Sequence, residues 1–173
     1  MRLSAIAAMG WAGGVAMAAV AVPAQAADPA TDEPSLEFVF EETVTLAADI
    51  TPGKTPLGGR NIIPITGGHF EGPGIKGTIL PGGWDWQLVR PDNCLQIKAD
   101  YFLKTDDGVV INVVNSGVAC APVDGKPSPV RTHPVFEAPM GKYDWLNRQT
   151  FIGTLVPSTD KGPAVRIRFY RVR

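Results

Sequence analysis

The chain of 173 residues carries 16 Lys and Arg against 17 Asp and Glu. That balance offers no basic surface for a phosphate backbone, so no nucleic-acid partner is expected. The length suits one ordinary domain with a real core, and no second domain is needed.

Residues 1–26 open with Arg2, run through an apolar stretch from Ala5 to Val22, and end in Pro23-Ala24-Gln25-Ala26, a small-x-small pattern. This is the plan of a secretory signal peptide cut after Ala26. A membrane anchor would need about 20 strongly apolar residues, whereas this stretch is rich in Ala and Gly, so no stable membrane insertion is expected after cleavage. The mature chain keeps 15 basic against 17 acidic residues, near −2, and is expected in the periplasm or outside the cell. Residues 27–35 hold Pro, Asp, Glu and Thr without a period and read as a flexible lead. The domain then spans residues 36–173.

From Leu36 to Leu46 apolar residues fall at every second position apart from one slip at Glu42. Period two predicts a strand. Between Ile62 and Arg90 glycines punctuate short apolar pieces such as Gly77-Thr78-Ile79-Leu80, a spacing that suits bent strands and tight corners. Alternation returns in Leu95–Leu103, Val109–Val114, Thr150–Val156 and Val165–Tyr170, each bounded by Gly, Pro, Asn or Asp. No stretch after the signal peptide has helical period over ten residues, and the best helical candidate is one turn around Lys142 to Leu146. These features predict an all-β protein of about eight to nine antiparallel strands, a sandwich or a single closed barrel, with the barrel preferred. A closed barrel removes exposed edges and leaves an interior able to hold one small ligand.

Cys94 and Cys120 are the only cysteines, and in an oxidising compartment a disulfide is the expectation. They lie symmetrically about Asp107 in Thr105-Asp106-Asp107-Gly108. A three-residue hairpin loop there sets them directly opposite each other, whereas a two-residue Asp107-Gly108 turn sets them on opposite faces.

The most unusual composition lies in Gly58-Gly59-Arg60, in Pro64 to Pro73 with Thr66 and His69, and in Leu80-Pro81-Gly82-Gly83-Trp84-Asp85-Trp86-Gln87. Glycines there would let backbone approach a ligand while Trp84 and Trp86 wall it and Gln87, Asp85 and Glu71 orient it. The alternative is that the glycines serve bends and the tryptophans fill the core. His69 beside Phe70-Glu71 is a second proton-transfer candidate. His133 before Pro134 reads as a loop residue. No metal is expected, since neither histidine is flanked by further ligands at metal spacing. No Gly-x-Ser-x-Gly elbow and no phosphate-cradling glycine loop before a helix occurs, which disfavours hydrolase and dinucleotide chemistry and leaves no cofactor expected.

The run from Leu36 to the C-terminus resembles the bacterial and fungal family known as domain of unknown function 3237. The matching stretches are Gly59-Arg60, Pro64-Ile65-Thr66-Gly67-Gly68 with Phe70-Glu71-Gly72, Pro81-Gly82-Gly83 with Asp85-Trp86-Gln87, Thr105-Asp106-Asp107-Gly108, Pro134 with Phe136-Glu137, and Tyr143 with Trp145-Leu146-Asn147. The resemblance implies a calycin-like β-barrel. Some fungal relatives are associated with cofactor-free cyclisation or dehydration of reactive aromatic intermediates, so it also implies that the barrel can host chemistry. The signal peptide and the cysteine pair depart from the usual cytosolic form.

If there is catalysis, the acid and base candidates are Glu71, Asp85 and Glu137, with Arg60 as countercharge; the alternative for each is a buried ion pair or a strand-end cap. Tyr101 joins Trp84 and Trp86 as an aromatic wall. The turn at Tyr143-Asp144-Trp145-Leu146-Asn147 could plug one barrel end with Trp145 and Asn147 facing the pocket, or Trp145 could simply pack beneath it. Three functions are thus expected in competition: a lyase, isomerase or cyclase acting on an aromatic or hydrophobic metabolite, a non-catalytic carrier or sensor of such a ligand, and a purely structural or envelope-associated protein, which would require a filled barrel. A homo-oligomer is left open.

Overall fold

The computed structural model describes residues 33–122, 125, 130–158 and 162–173. The expected signal peptide and most of the expected lead lie outside them. Ten strands form one antiparallel sheet: β1 (Leu36–Leu46), β2 (Ile50–Thr55), β3 (Gly58–Gly72), β4 (Ile75–Ile79), β5 (Gly83–Val89), β6 (Leu95–Thr105), β7 (Val110–Ala119), β8 (Val130–Glu137), β9 (Phe151–Ser158) and β10 (Ala164–Val172).

The sheet closes because β1 pairs with β10 on one side and β3 on the other. Ten strands occupy eight positions around the ring. The 15-residue β3 is long enough for two partners on each edge. Along one edge β1 runs beside Ile65–Glu71 and β2 beside Gly58–Ile62. Along the other, β4 runs beside Gly68–Gly72 and β5 beside Gly59–Ile65. The glycine-punctuated segment is therefore one barrel position built from two short strands, with the corner at Leu80–Gly82.

Alternation decides what points inward. On β1 it is Phe40, Glu42 and Val44, on β6 Ile97, Tyr101, Leu103 and Thr105, and on β7 Ile111, Val113 and Asn115. An eight-position barrel has room for packed side chains or one small ligand. In this one, packed side chains fill one half of the lumen and the other half keeps a cavity. The half nearest the Thr105–Val109 hairpin is filled by Phe40, Phe70, Phe136, Phe151 and Phe169, all buried. Phe40 is their hub, with ring centroids 4.9 Å from Phe169, 5.4 Å from Phe70 and 5.9 Å from Phe136 in tilted or edge-on contact.

That end is capped by a 3-10 turn at Asp144–Arg148, the one helical element of the described residues, which buries Leu146 with the preceding Tyr143. Asp107 ties the cap to the hairpin, accepting from Thr105 Oγ1 at 2.6 Å, Tyr143 Oη at 3.0 Å and Lys142 Nζ at 2.8 Å. Those donors hold its carboxyl well below the usual range.

The hairpin itself has a three-residue loop. Thr105 N–H donates to Val109 O at 2.9 Å, and Gly108 takes φ of 87°, which glycine adopts without strain. Lys104 faces Val110, and the same register carried to the strand ends joins Cys94 to Cys120 in a disulfide, with Cα atoms 4.2 Å apart.

His133 is corrected from loop to strand: it lies on β8, exposed, opposite Ser116. Pro134 hid that strand. It is tolerated because β8 pairs with β9 only through Val130–Thr132, so beyond Thr132 a missing N–H breaks no ladder on that edge.

Candidate functional site

The other half of the lumen, toward the Cys94–Cys120 bridge, contains a cavity of about 100 Å³. Its walls are mostly aliphatic, including Leu46, Ile63, Ile97, Leu155 and Val165, with four polar side chains among them: Asp85, Gln87, Tyr101 and Asn115. A small apolar pocket with a few convergent polar groups is the usual form of a ligand site.

Asp85 enters the lumen where β5 and β6 part. The strands pair at Trp84–Asp85 and again at Leu88–Val89 but not between, and the Asp85 carboxylate substitutes for the missing ladder. Its Oδ1 accepts the Lys98 N–H at 3.3 Å and its Oδ2 accepts Gln87 Nε2 at 2.8 Å. Gln87 Oε1 in turn accepts Asn61 Nδ2 at 3.3 Å, and Asn61 Oδ1 accepts the Thr51 hydroxyl at 3.2 Å. Burial pushes the Asp85 carboxyl up, and the two donors oppose it. Close approach of β5 to β6 depends on Gly83, where a Cβ would sit 2.6 Å from Tyr101 Cβ.

Tyr101, 1% exposed, donates its hydroxyl to Glu42 Oε1. Glu42 is also 1% exposed, at the boundary between the cavity and the phenyl cluster, opposite Ile167 on β10 and Phe70 on β3. Burial raises its carboxyl to about 8, against the lowering effect of the Tyr101 hydrogen bond. Burial first, then the charge and hydrogen bond of Glu42, then the charge of Asp85, hold the Tyr101 phenol well above its ordinary value. The lumen therefore contains two carboxyls with unequal support: one donor for Glu42 and two for Asp85.

The structure separates the residues singled out from sequence. Asp85, Gln87 and Tyr101 face the cavity. Trp84, Trp86 and Glu137 line a concavity on the outer wall with Asp100, Phe102 and Asn112, and Arg60 lines an adjoining one beside Trp86 and Leu57. The tryptophans are 39% and 46% exposed, so neither fills the core. Glu71 is exposed on β3 between Glu41 and Lys76. His69 is exposed between Thr43 and Thr78, and Thr66 donates to the Thr45 hydroxyl at 2.9 Å on the surface. Trp145 packs on Phe151 and beneath Arg171, and Asn147 clamps both backbone groups of Ala138 at 2.8 and 2.9 Å. The turn caps the barrel as one of its two readings had it, but these two side chains hold the cap in place and do not line the lumenal cavity.

Sequence reasoning passed over Glu42, Asn115 and Thr132, all buried. Each carried a signal. Glu42 was the one break in the alternation of β1, a carboxyl at a core-phase position, and Asn115 continues the inward phase of Ile111 and Val113. Thr132 shares the phase of Phe136 on the strand that Pro134 concealed.

The fold and its motifs agree with known proteins. A family model described as "Protein of unknown function (DUF3237)" matches residues 34–172. The chain belongs to this family. A UPF0311 protein of Rhodopseudomonas palustris is 37% identical over 142 residues, covering 74% of this chain and 93% of the relative. The crystal structure of a β-barrel-like protein from Acinetobacter baumannii superposes with a TM-score of 0.75 at 32% identity, covering 84% of this chain and all of that one. The hydroalkoxylation enzyme phnH of Penicillium herquei is 30% identical over 140 residues, covering 81% of this chain and 85% of the relative.

Proposed function

We propose that this family member is an exported barrel that takes a small aromatic or hydrophobic molecule into its lumen and performs cofactor-free acid–base chemistry on it, of lyase, isomerase or cyclase type. One observation carries the reading: Asp85 and the Tyr101–Glu42 pair converge on a mostly aliphatic cavity, under conditions that shift all three groups in their proton affinity. The disulfide supports export, since such bonds persist in oxidising compartments.

Asp85, with two donors, is the easier carboxyl to ionise and serves as the base. Tyr101 with its raised phenol is a poor acid alone. With Glu42 neutral it need not become a phenolate, once the bond between them reverses: the Tyr101 hydroxyl turns to the ligand, the Glu42 carboxyl donates to the Tyr101 oxygen, and as the phenol proton passes to the ligand the Glu42 proton replaces it, so the acid spent is a carboxyl near 8. Addition of an O–H across a carbon–carbon double bond, the reaction in the name of the Penicillium herquei relative, has this requirement: one proton delivered to carbon, one removed from oxygen, and no net transfer of electrons.

The test is a thermal-stabilisation screen of the oxidised protein against aromatic, terpenoid and polyketide metabolites, with mass spectrometry of every hit. A ligand at about 100 times its dissociation constant adds roughly 2.7 kcal/mol, which is readily seen. Conversion that fails in both Asp85→Asn and Tyr101→Phe supports the enzyme. Hits recovered intact from the wild type would make the barrel a carrier, and conversion unaffected by either substitution would remove the lumen from the mechanism.

A further inference from the structure

Three lumenal polar atoms are buried and have no partner among the described residues: Glu42 Oε2, Asn115 Oδ1 and Thr132 Oγ1. A fourth such atom, Arg171 Nε, lies at the capped end. Native proteins leave few buried polar groups unpaired, and each one asks what completes it. Asn115 lines the cavity, and Thr132 is its diagonal neighbour on the inner face, since Asn115 pairs with Pro134 and Gly117 with Thr132. Glu42 lies behind Tyr101. The Thr132 hydroxyl and a neutral Glu42 carboxyl can each donate or accept, but the Asn115 amide oxygen can only accept, so what it lacks is a donor.

The charge of the site narrows the donor. No Lys or Arg lines the cavity and the Asp85 carboxylate faces it, so an anionic ligand finds no countercharge and meets repulsion from Asp85. An ammonium would have to shed its hydration into aliphatic walls, a penalty of several kcal/mol, whereas a hydroxyl that finds an acceptor loses little. Volume sets the size. A cavity of about 100 Å³ is nearer to one that admits benzene than to the 300–1,000 Å³ of larger ligand sites, so one ring enters.

We infer that the group bound in the lumen is a single neutral ring bearing a hydroxyl, of phenol type, with its O–H received by Asn115 Oδ1. This rests on the lumenal reading above and adds the class of ligand and the residue that recognises it.

Calorimetric titration of the purified protein with phenol, toluene, benzoate and benzylamine tests it. Phenol is expected to bind about five-fold tighter than toluene, the effect of one neutral hydrogen bond, and tighter than either charged ring. Asn115→Leu should bring the phenol-to-toluene ratio near one, with Thr132→Val moving it less. Ala99→Phe and Val165→Phe, which fill the cavity from two walls, should abolish binding of both. Toluene equal to phenol in the wild type, with both lost in the filled variants, overturns the hydroxyl inference and leaves the lumenal site standing. Tightest binding by benzoate or benzylamine overturns its neutrality. Phenol binding that survives both filled variants overturns the inference and the lumenal reading together, and failure of all four rings to bind overturns the inference alone, the lumen then being judged by the metabolite screen.

Discussion

The Tyr101 hydroxyl on β6 donates across the lumen to the Glu42 carboxyl on β1, two strands that are not neighbours in the ring. This bond floors the cavity and separates it from the phenyl cluster. Because burial raises Glu42 from 4.5 to about 8, its neutral form is favoured by folding. Its contribution is fully present below 4.5 and is lost as pH rises through about 8, where the unfolded chain has already ionised and the folded one must follow. Within that window the slope is at most about 1.4 kcal/mol per pH unit. Glu42→Gln should flatten it, as measured by urea denaturation of both proteins at several pH values across the window.

Tyr101→Phe removes the single donor to Glu42 Oε1. A buried polar group left unpaired costs about 1–3 kcal/mol, so the variant should unfold at lower denaturant. Since the lost hydrogen bond was lowering the Glu42 carboxyl, the stability window should also extend to higher pH. A drop in stability with an unmoved window would show that the hydroxyl acts only by packing.

Asp85→Asn keeps the shape but leaves one acceptor oxygen for two donors, Gln87 Nε2 and the Lys98 N–H. The loss of one neutral hydrogen bond should cost about 1 kcal/mol in denaturant titration. On the proposed chemistry, removal of a general base should slow conversion about 10²- to 10⁴-fold, a much larger effect than the stability change explains.

Replacing Cys94 and Cys120 with Ala opens a loop with a sequence separation of 26. Chain entropy then predicts a loss of about 3.5 kcal/mol. Guanidinium titration of the double variant should match that of the reduced wild type. Equal midpoints for oxidised and reduced wild type would contradict it.

Gly153 sits opposite Thr132 on β8, and a Cβ there would collide with Thr132 Oγ1 and press on the Phe169 ring. Gly153→Ala should cost about 1–3 kcal/mol, in the range of overpacked cores. Adding Thr132→Ala should recover part of it, so the double variant should melt above the single one.

Much of the barrel could be read from residues 36–173 because strand alternation is a local property. The period of β1, β6, β7, β9 and β10 needs only neighbouring residues. Two strands escaped notice, β2 and β8; β8 did so because Pro134 marks a break wherever both edges must pair, and only the closed sheet reveals that one edge is free there. Symmetry of the cysteines about Asp107 left two registers open, and the three-residue loop decided between them.

The sequence by itself determined that this chain makes an all-β barrel with a paired-cysteine option and a cluster of aromatic and acidic residues between Arg60 and Gln87. Only the tertiary structure decided which of those residues share a space. A one-residue step along a strand turns a side chain from lumen to solvent, so Asp85 and Gln87 went inward while Trp84 and Trp86, interleaved with them, went outward. Glu42 and Tyr101 meet for the complementary reason: 59 residues apart along the chain, they are brought together by closure of the sheet, which no local pattern encodes.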